Sequence, residues 1–249
     1  MSMDELVVAA RDRVRLHVGG CGSGTDVVML SGGPGCVQYL EQERLVPVGV
    51  RAWFPEPRGV GRSGGGGHTM AQAVEDLESI RVTLGIDEWI VLGHSWGCDL
   101  AVRYALDHPT SVSRVIGIAG HGLHKDRTWS QQYQELKGTE PELAIPWEQA
   151  VWRALQDSFL EWIHEPQLFR NLADSPVPMK IIAAGNDIRP SWPLQQLAAL
   201  VPAGTFEVVP DVPHDFWSVD CTNDRSRLVG RVWVRDDLRR GRWGVSFVR

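Results

Sequence analysis

The chain has 249 residues, with 43% hydrophobic and 22% charged side chains and a net charge of −6, which suits a globule of one large α/β domain or two small ones and gives no basic excess for nucleic acid. No apolar run approaches the roughly 20 residues that span a bilayer. The opening stretch carries Asp4, Glu5, Arg11, Asp12, Arg13 and Arg15 where a signal peptide has its apolar core, so a cytoplasmic protein is expected.

Residues 4–18 read as a hairpin turned at Arg11-Asp12-Arg13, because the second run alternates apolar and polar side chains. Gly19 to Thr25 reads as a loop, and Asp26 to Leu30 as a buried parallel strand. Ser31-Gly32-Gly33-Pro34-Gly35 then forms a glycine-rich turn at that strand's carboxyl end, where exposed N–H groups admit a ligand closely. Val37 to Leu45 is expected to be helical and Val48 to Phe54 a strand. Pro55 to Gly64 holds two prolines and three glycines and continues neither. Thr69 is placed to cap a helix from Met70 to Leu84, with apolar residues at 70, 73, 74, 77, 80 and 84 and a stop at Gly85.

The next stretch, Gly93-His94-Ser95-Trp96-Gly97, follows the apolar run Trp89 to Leu92 and precedes a helical run from Cys98 to Leu106. G-x-S-x-G is a cheap pattern in a glycine-rich chain; between a strand and a helix it becomes a nucleophile elbow. The glycines keep bulk away from a strained turn that lifts the Ser95 hydroxyl clear of the sheet. The N–H of Trp96 then lies near a helix start, with Gly33 as a second donor for an oxyanion. Cys98 reads as a small buried residue of the elbow helix, and all four cysteines (Cys21, Cys36, Cys98, Cys221) as free thiols, since no C-x-x-C pair or metal spacing occurs.

Val112 to Ala119 is a further strand. The alternation of strands and helices to this point demands a mostly parallel sheet with its site at the strands' carboxyl ends. Residues 121–175 change character: they hold Trp129, Trp147, Trp152, Trp162 and six glutamates, with no strand pattern. They read as a helical cap over the site, inserted between body segments 1–120 and 176–249. Pro178 to Gly185 returns to the sheet, Trp192 to Leu200 is a helix, and Thr205 to Val209 a last strand. From Arg225 onward eight arginines face two aspartates, which reads as one helix at most and a basic tail.

Ser95, Asp187 and His214 thus fall at successive strand ends, in the chain order Ser–acid–His of acyl transfer on such a sheet. His214 is the general base, because it alone among His94, His121, His124 and His214 follows the last strand. Asp187 orients it; the rival Asp211 sits too near His214 to occupy a different strand end. The base must be neutral, so activity falls in acid.

These residues make the chain resemble the α/β-hydrolase superfamily, and within it the proline iminopeptidase branch. The resemblance rests on Gly32-Gly33-Pro34-Gly35 with Tyr39-Leu40, on Arg58-Gly59-Val60-Gly61-Arg62-Ser63, and on Gly93-His94-Ser95-Trp96-Gly97. It implies an eight-stranded α/β body with flanking helices and a small helical cap, a serine acyl-enzyme, no cofactor and no metal. Ser31 stands where that branch has His, and Glu56-Pro57 where it has Asp-Gln. The expected substrate is a short peptide with an N-terminal proline or small residue, or, because the cap is short and rich in Trp, a small apolar ester, lactone or amide. A catalytically silent receptor on the same fold is the reading from a different class.

Overall fold

The computed structural model describes residues 3–124 and 127–218. The basic C-terminal segment lies outside the described residues. Eight strands form one sheet: β1 (Asp4–Ala9), β2 (Arg15–Gly22), β3 (Gly24–Leu30), β4 (Gly49–Pro55), β5 (Trp89–His94), β6 (Val112–Ile118), β7 (Met179–Ala184) and β8 (Gly204–Val209). Their order is β1-β2-β4-β3-β5-β6-β7-β8. β2 pairs antiparallel with both β1 and β4, and every other pairing is parallel. This is the expected mostly parallel eight-stranded sheet with an antiparallel edge.

Pleat alternation assigns each strand residue to one of two cores. Val28, Leu30 and Val91 join a cluster with helices α1 (Met70–Thr83) and α2 (Trp96–Asp107). Val27, Met29, Ile90 and Leu92 point to the other face, against Leu40, Leu45, Phe216 and Trp217. β5 is buried along its whole length, which is why its run is continuously apolar rather than alternating. α1 begins where expected: the Thr69 side chain accepts from the Gln72 N–H, and Gly85 takes φ 68° just past the end.

Two expectations are corrected. The loop expected over Gly19–Thr25 is mostly strand, since β2 runs to Gly22 and β3 starts at Gly24. Glycine propensity is overridden because close neighbours exclude side chains: a Cβ on Gly24 would lie 2.1 Å from the Gly49 carbonyl oxygen. The helix expected over Val37–Leu45 is absent except for a 3-10 turn at Glu43–Leu45. Its side chains are recruited elsewhere. The Gln38 amide donates to the carbonyls of Met29 and Pro55, at 2.8 and 2.9 Å, and ties together the ends of β3 and β4.

Between β6 and β7 lie α3 (Arg127–Leu136), α4 (Gln149–Ile163) and α5 (Leu168–Ala173). α6 (Trp192–Leu200) packs on β7 and β8. Of the four tryptophans in the α3–α5 segment, Trp129 and Trp162 are buried, whereas Trp147 and Trp152 stay about half exposed at 52% and 41%. Among the described residues no helix is long and apolar enough to cross a membrane.

Candidate active site

Ser95 joins β5 to α2 with φ 54° and ψ −127°, a region a non-glycine residue enters only when its surroundings compel it. The surroundings are glycine. A Cβ on Gly93 would lie 2.0 Å from the Gly97 carbonyl oxygen, and one on Gly97 2.3 Å from that of Leu30. Both glycines of the motif are therefore required by close approach, as the sequence reading held. Trp96 is the first residue of α2, so its N–H has no acceptor within the helix.

The loop after β3 lies directly against this turn, for a Cβ on Gly32 would meet the Ser95 Cβ at 2.3 Å. The Gly32 N–H already donates to the Tyr39 hydroxyl oxygen at 2.5 Å. Gly33, the next residue of this loop, takes φ 55°.

Asp187 and His214, 27 residues apart, come together: His214 Nδ1 lies 2.6 Å from Asp187 Oδ2. With Nδ1–H donating there, Nε2 is the unprotonated nitrogen of the neutral ring. The rival Asp211 is not the partner. Asp187 Oδ1 accepts from Arg189 at both the backbone N–H and Nη1, each at 2.9 Å. Burial alone would raise the Asp187 carboxyl, but the bond to His214 and the nearby Arg189 charge outweigh it and hold the group well below the usual carboxylate range.

Three participants carry little signal in the sequence. His94, passed over there in favour of His214, lies against that residue: its Nε2 is 3.0 Å from the His214 carbonyl oxygen, and the two rings are 4.7 Å apart. Its Nδ1 lies 2.7 Å from the Tyr39 hydroxyl. Proton accounting then orders the chain. Gly32 N–H donates to Tyr39, Tyr39 O–H donates to His94 Nδ1, and His94 Nε2–H donates to the His214 carbonyl. Complete burial, reinforced by the His214 ring, holds His94 neutral far below its ordinary range. Tyr39 also stacks on Trp217 at 4.4 Å. The third participant is Arg189, which grips Glu140 through both carboxylate oxygens, at 2.6 and 3.1 Å, and so links Asp187 to the segment between β6 and β7. Only the G-H-S-W-G adjacency hinted at His94; nothing in the sequence marks Arg189 or Glu140.

The other histidine of note, His121, sits after β6 with its Nδ1 2.8 Å from Asp99 Oδ2, packed against Trp129 and Phe159. It anchors α3 and α4 to the body. Cys98 is buried beneath Gly117 and Gly120, and burial pushes its thiol well above the usual value, which leaves it a poor nucleophile. Among the described residues no group of His, Cys, Asp and Glu side chains gathers as a metal site.

A protein-family model described as alpha/beta hydrolase fold matches residues 26–177. A proline iminopeptidase of Xylella fastidiosa (strain 9a5c) is 31% identical over 152 residues, 58% of this chain and 48% of that protein. The chain thus spans about half the length of the curated relative it matches. In solved structures the fold recurs in a thermophilic esterase from Thermogutta terrifontis, with a TM-score of 0.70 and 17% identity over 94% of this chain and 98% of that one. It recurs also in a proline iminopeptidase of Mycobacterium smegmatis, with a TM-score of 0.67 and 16% identity over 94% and 99% of the two chains.

Proposed function

The chain belongs to the α/β-hydrolase fold family, and from that premise we propose that it is a serine hydrolase working through an acyl-enzyme. The observation that carries the reading is the 2.6 Å pair of His214 and Asp187, together with a serine held on a strained strand-to-helix turn whose chain neighbour His94 lies 3.0 Å from the His214 carbonyl. In this reading Ser95 Oγ attacks the substrate carbonyl while His214 Nε2 takes its proton. Asp187 stabilises the imidazolium, and the N–H groups of Gly33 and Trp96 receive the oxyanion. Protonated His214 then gives its proton to the leaving group, and water repeats the cycle to release the acyl group.

The helical segment between β6 and β7 serves as the cap, and the preferred substrate is a short peptide with a free N-terminal proline or small residue. That substrate needs a carboxylate for its ammonium. Glu140 is committed to Arg189 and Glu165 to Arg103. Of the other four, Glu148 is the candidate, because its backbone N–H donates to the Gly35 carbonyl at 2.8 Å, on the loop proposed to receive the oxyanion.

A second reading has its own observation. Trp147 and Trp152 form an exposed aromatic pair, 6.3 Å apart, beside the same loop. An apolar wall there favours a small ester, lactone or amide. Initial rates on a free-amine proline arylamide, its N-acylated counterpart and a short-chain aryl ester separate the two. A strong preference for the free amine, lost in Glu148→Gln, upholds the aminopeptidase; ester turnover without amide cleavage replaces it with the esterase. No turnover of any of the three by a folded protein that also resists a serine-directed phosphonate sinks both.

A further inference from the structure

Behind the proposed oxyanion loops lies a cavity that the acyl-transfer chemistry does not use. Its water-sized free space is about 60 Å³, room for several waters or a narrow alkyl chain. Its walls are aliphatic, from Leu77 and Ile80 of α1, Leu100 of α2 and Leu155 of α4; Gly67, His68 and Thr69 also line it. Ser95, Asp187 and His214 are not among its lining residues.

The polar groups around it divide into two kinds. Arg58 and Asp76 satisfy one another through two bonds of 2.8 and 2.5 Å. Gln72 donates to Asp76, and Glu56 accepts from the Arg62 backbone N–H and guanidinium. Against these stand two atoms without a partner, Ser31 Oγ and Trp96 Nε1. Both residues line the cavity and are more than nine-tenths buried, at 6% and 3% exposure. Orphaned buried polar groups of this kind are rare and ask for an occupant.

We propose that this cavity is a binding site for a neutral, apolar small molecule bearing one acceptor oxygen, such as a medium-chain alkyl ketone, ester or lactone. An indole N–H only donates, so the occupant must accept. Two carboxylates and one guanidinium line the cavity (Glu56, Asp76, Arg58), which disfavours an anion, and the guanidinium and carboxylates are already paired, so no charge is left to hold an ion of either sign. The aliphatic walls accept the hydrocarbon part. Ser31 stands two residues before Gly33 and Trp96 carries the other proposed donor, so an occupant touches the segments that hold both oxyanion donors.

The test uses 2-heptanone, titrated by calorimetry into the full-length Ser95→Ala protein so that turnover contributes no heat. The expected result is saturable binding with a Kd below about 1 mM. Ser31→Ala should weaken it about fivefold, the worth of one neutral hydrogen bond. Leu77→Phe and Ala73→Leu, which fill the cavity, should each weaken it at least about tenfold while cooperative melting shows them folded. Hexanoate should bind more weakly than the ketone. Absence of saturable heat, or binding indifferent to whichever filling variant folds, overturns the proposal. So does a crystal structure at saturating ketone with only water on Ser31 and Trp96. The outcome is independent of the acyl-transfer reading, which stands or falls on hydrolysis by the unmodified protein.

Discussion

Exchanging Ser95 for alanine removes one oxygen atom from a largely buried turn. The variant should therefore keep its melting temperature and lose turnover by several orders of magnitude; retained hydrolysis removes Ser95 as nucleophile. A phosphonate should label Ser95 and leave Cys98 untouched, as peptide mass mapping will show. Asp187→Asn should lower kcat on the order of 10⁴-fold, because an amide no longer fixes the His214 tautomer. The same variant carries a pH signature. Asp187 has a depressed carboxyl in the folded protein, so its ionised form contributes stability above the ordinary Asp range, about pH 4, and that contribution is lost as pH falls through the depressed value. The gap in melting temperature between the natural protein and Asp187→Asn should be full at pH 7 and narrow as the pH drops below about 4; a constant gap means the depression is absent. His94→Phe should lower kcat far more than it raises KM, because it cuts the link between Tyr39 and the His214 carbonyl while keeping a buried ring. A loss confined to stability assigns His94 to packing.

Elements are held in register by polar ties as much as by apolar faces. Arg58, on the loop after β4, joins Asp76 of α1 and Asp12 of the β1–β2 turn. Its side chain is 4% exposed and that of Asp76 9%. Removing the cation leaves a buried carboxylate uncompensated, so Arg58→Met should cost about 3–5 kcal/mol, measured as a lower urea midpoint. Arg58→Met with Asp76→Leu should recover part of that loss, because replacing both partners removes the orphaned charge. The Ser63 hydroxyl works on the same scale, donating to the Glu56 carbonyl and accepting from the His17 N–H, which explains why a glycine-rich loop holds one shape. The failed helix at Val37–Leu45 has the same cause: Gln38 and Tyr39 are committed to bonds at the ends of β3, β4 and β5, and a regular helix would turn them away.

Over the whole molecule, the sheet order brings residues from four strand ends to one edge, which places the proposed chemistry at the crossover between β3 and β5. The α3–α5 segment reports to that edge through two ties, Glu140 on Arg189 and the backbone of Glu148 on Gly35. Arg189→Met should therefore change the selectivity between free-amine amide and ester as well as the rate, measured as a ratio of kcat/KM values. An unchanged ratio separates the segment's position from substrate choice. The sequence by itself determined most of the strand and helix succession and the elbow glycines, and it singled out Ser95, Asp187 and His214 as the proposed triad, because hydrophobic period and tight-turn sterics are local and leave their mark on neighbouring residues. Only the tertiary structure decided that Gly24 belongs to a strand, that Val37–Leu45 is irregular, and that His94, Tyr39 and Arg189 are bonded into the surroundings of the proposed triad. Those outcomes depend on which buried donor finds which acceptor across distant segments, and a hydrogen bond between residues 55 positions apart, such as that of Tyr39 with His94, has no periodicity from which to be read.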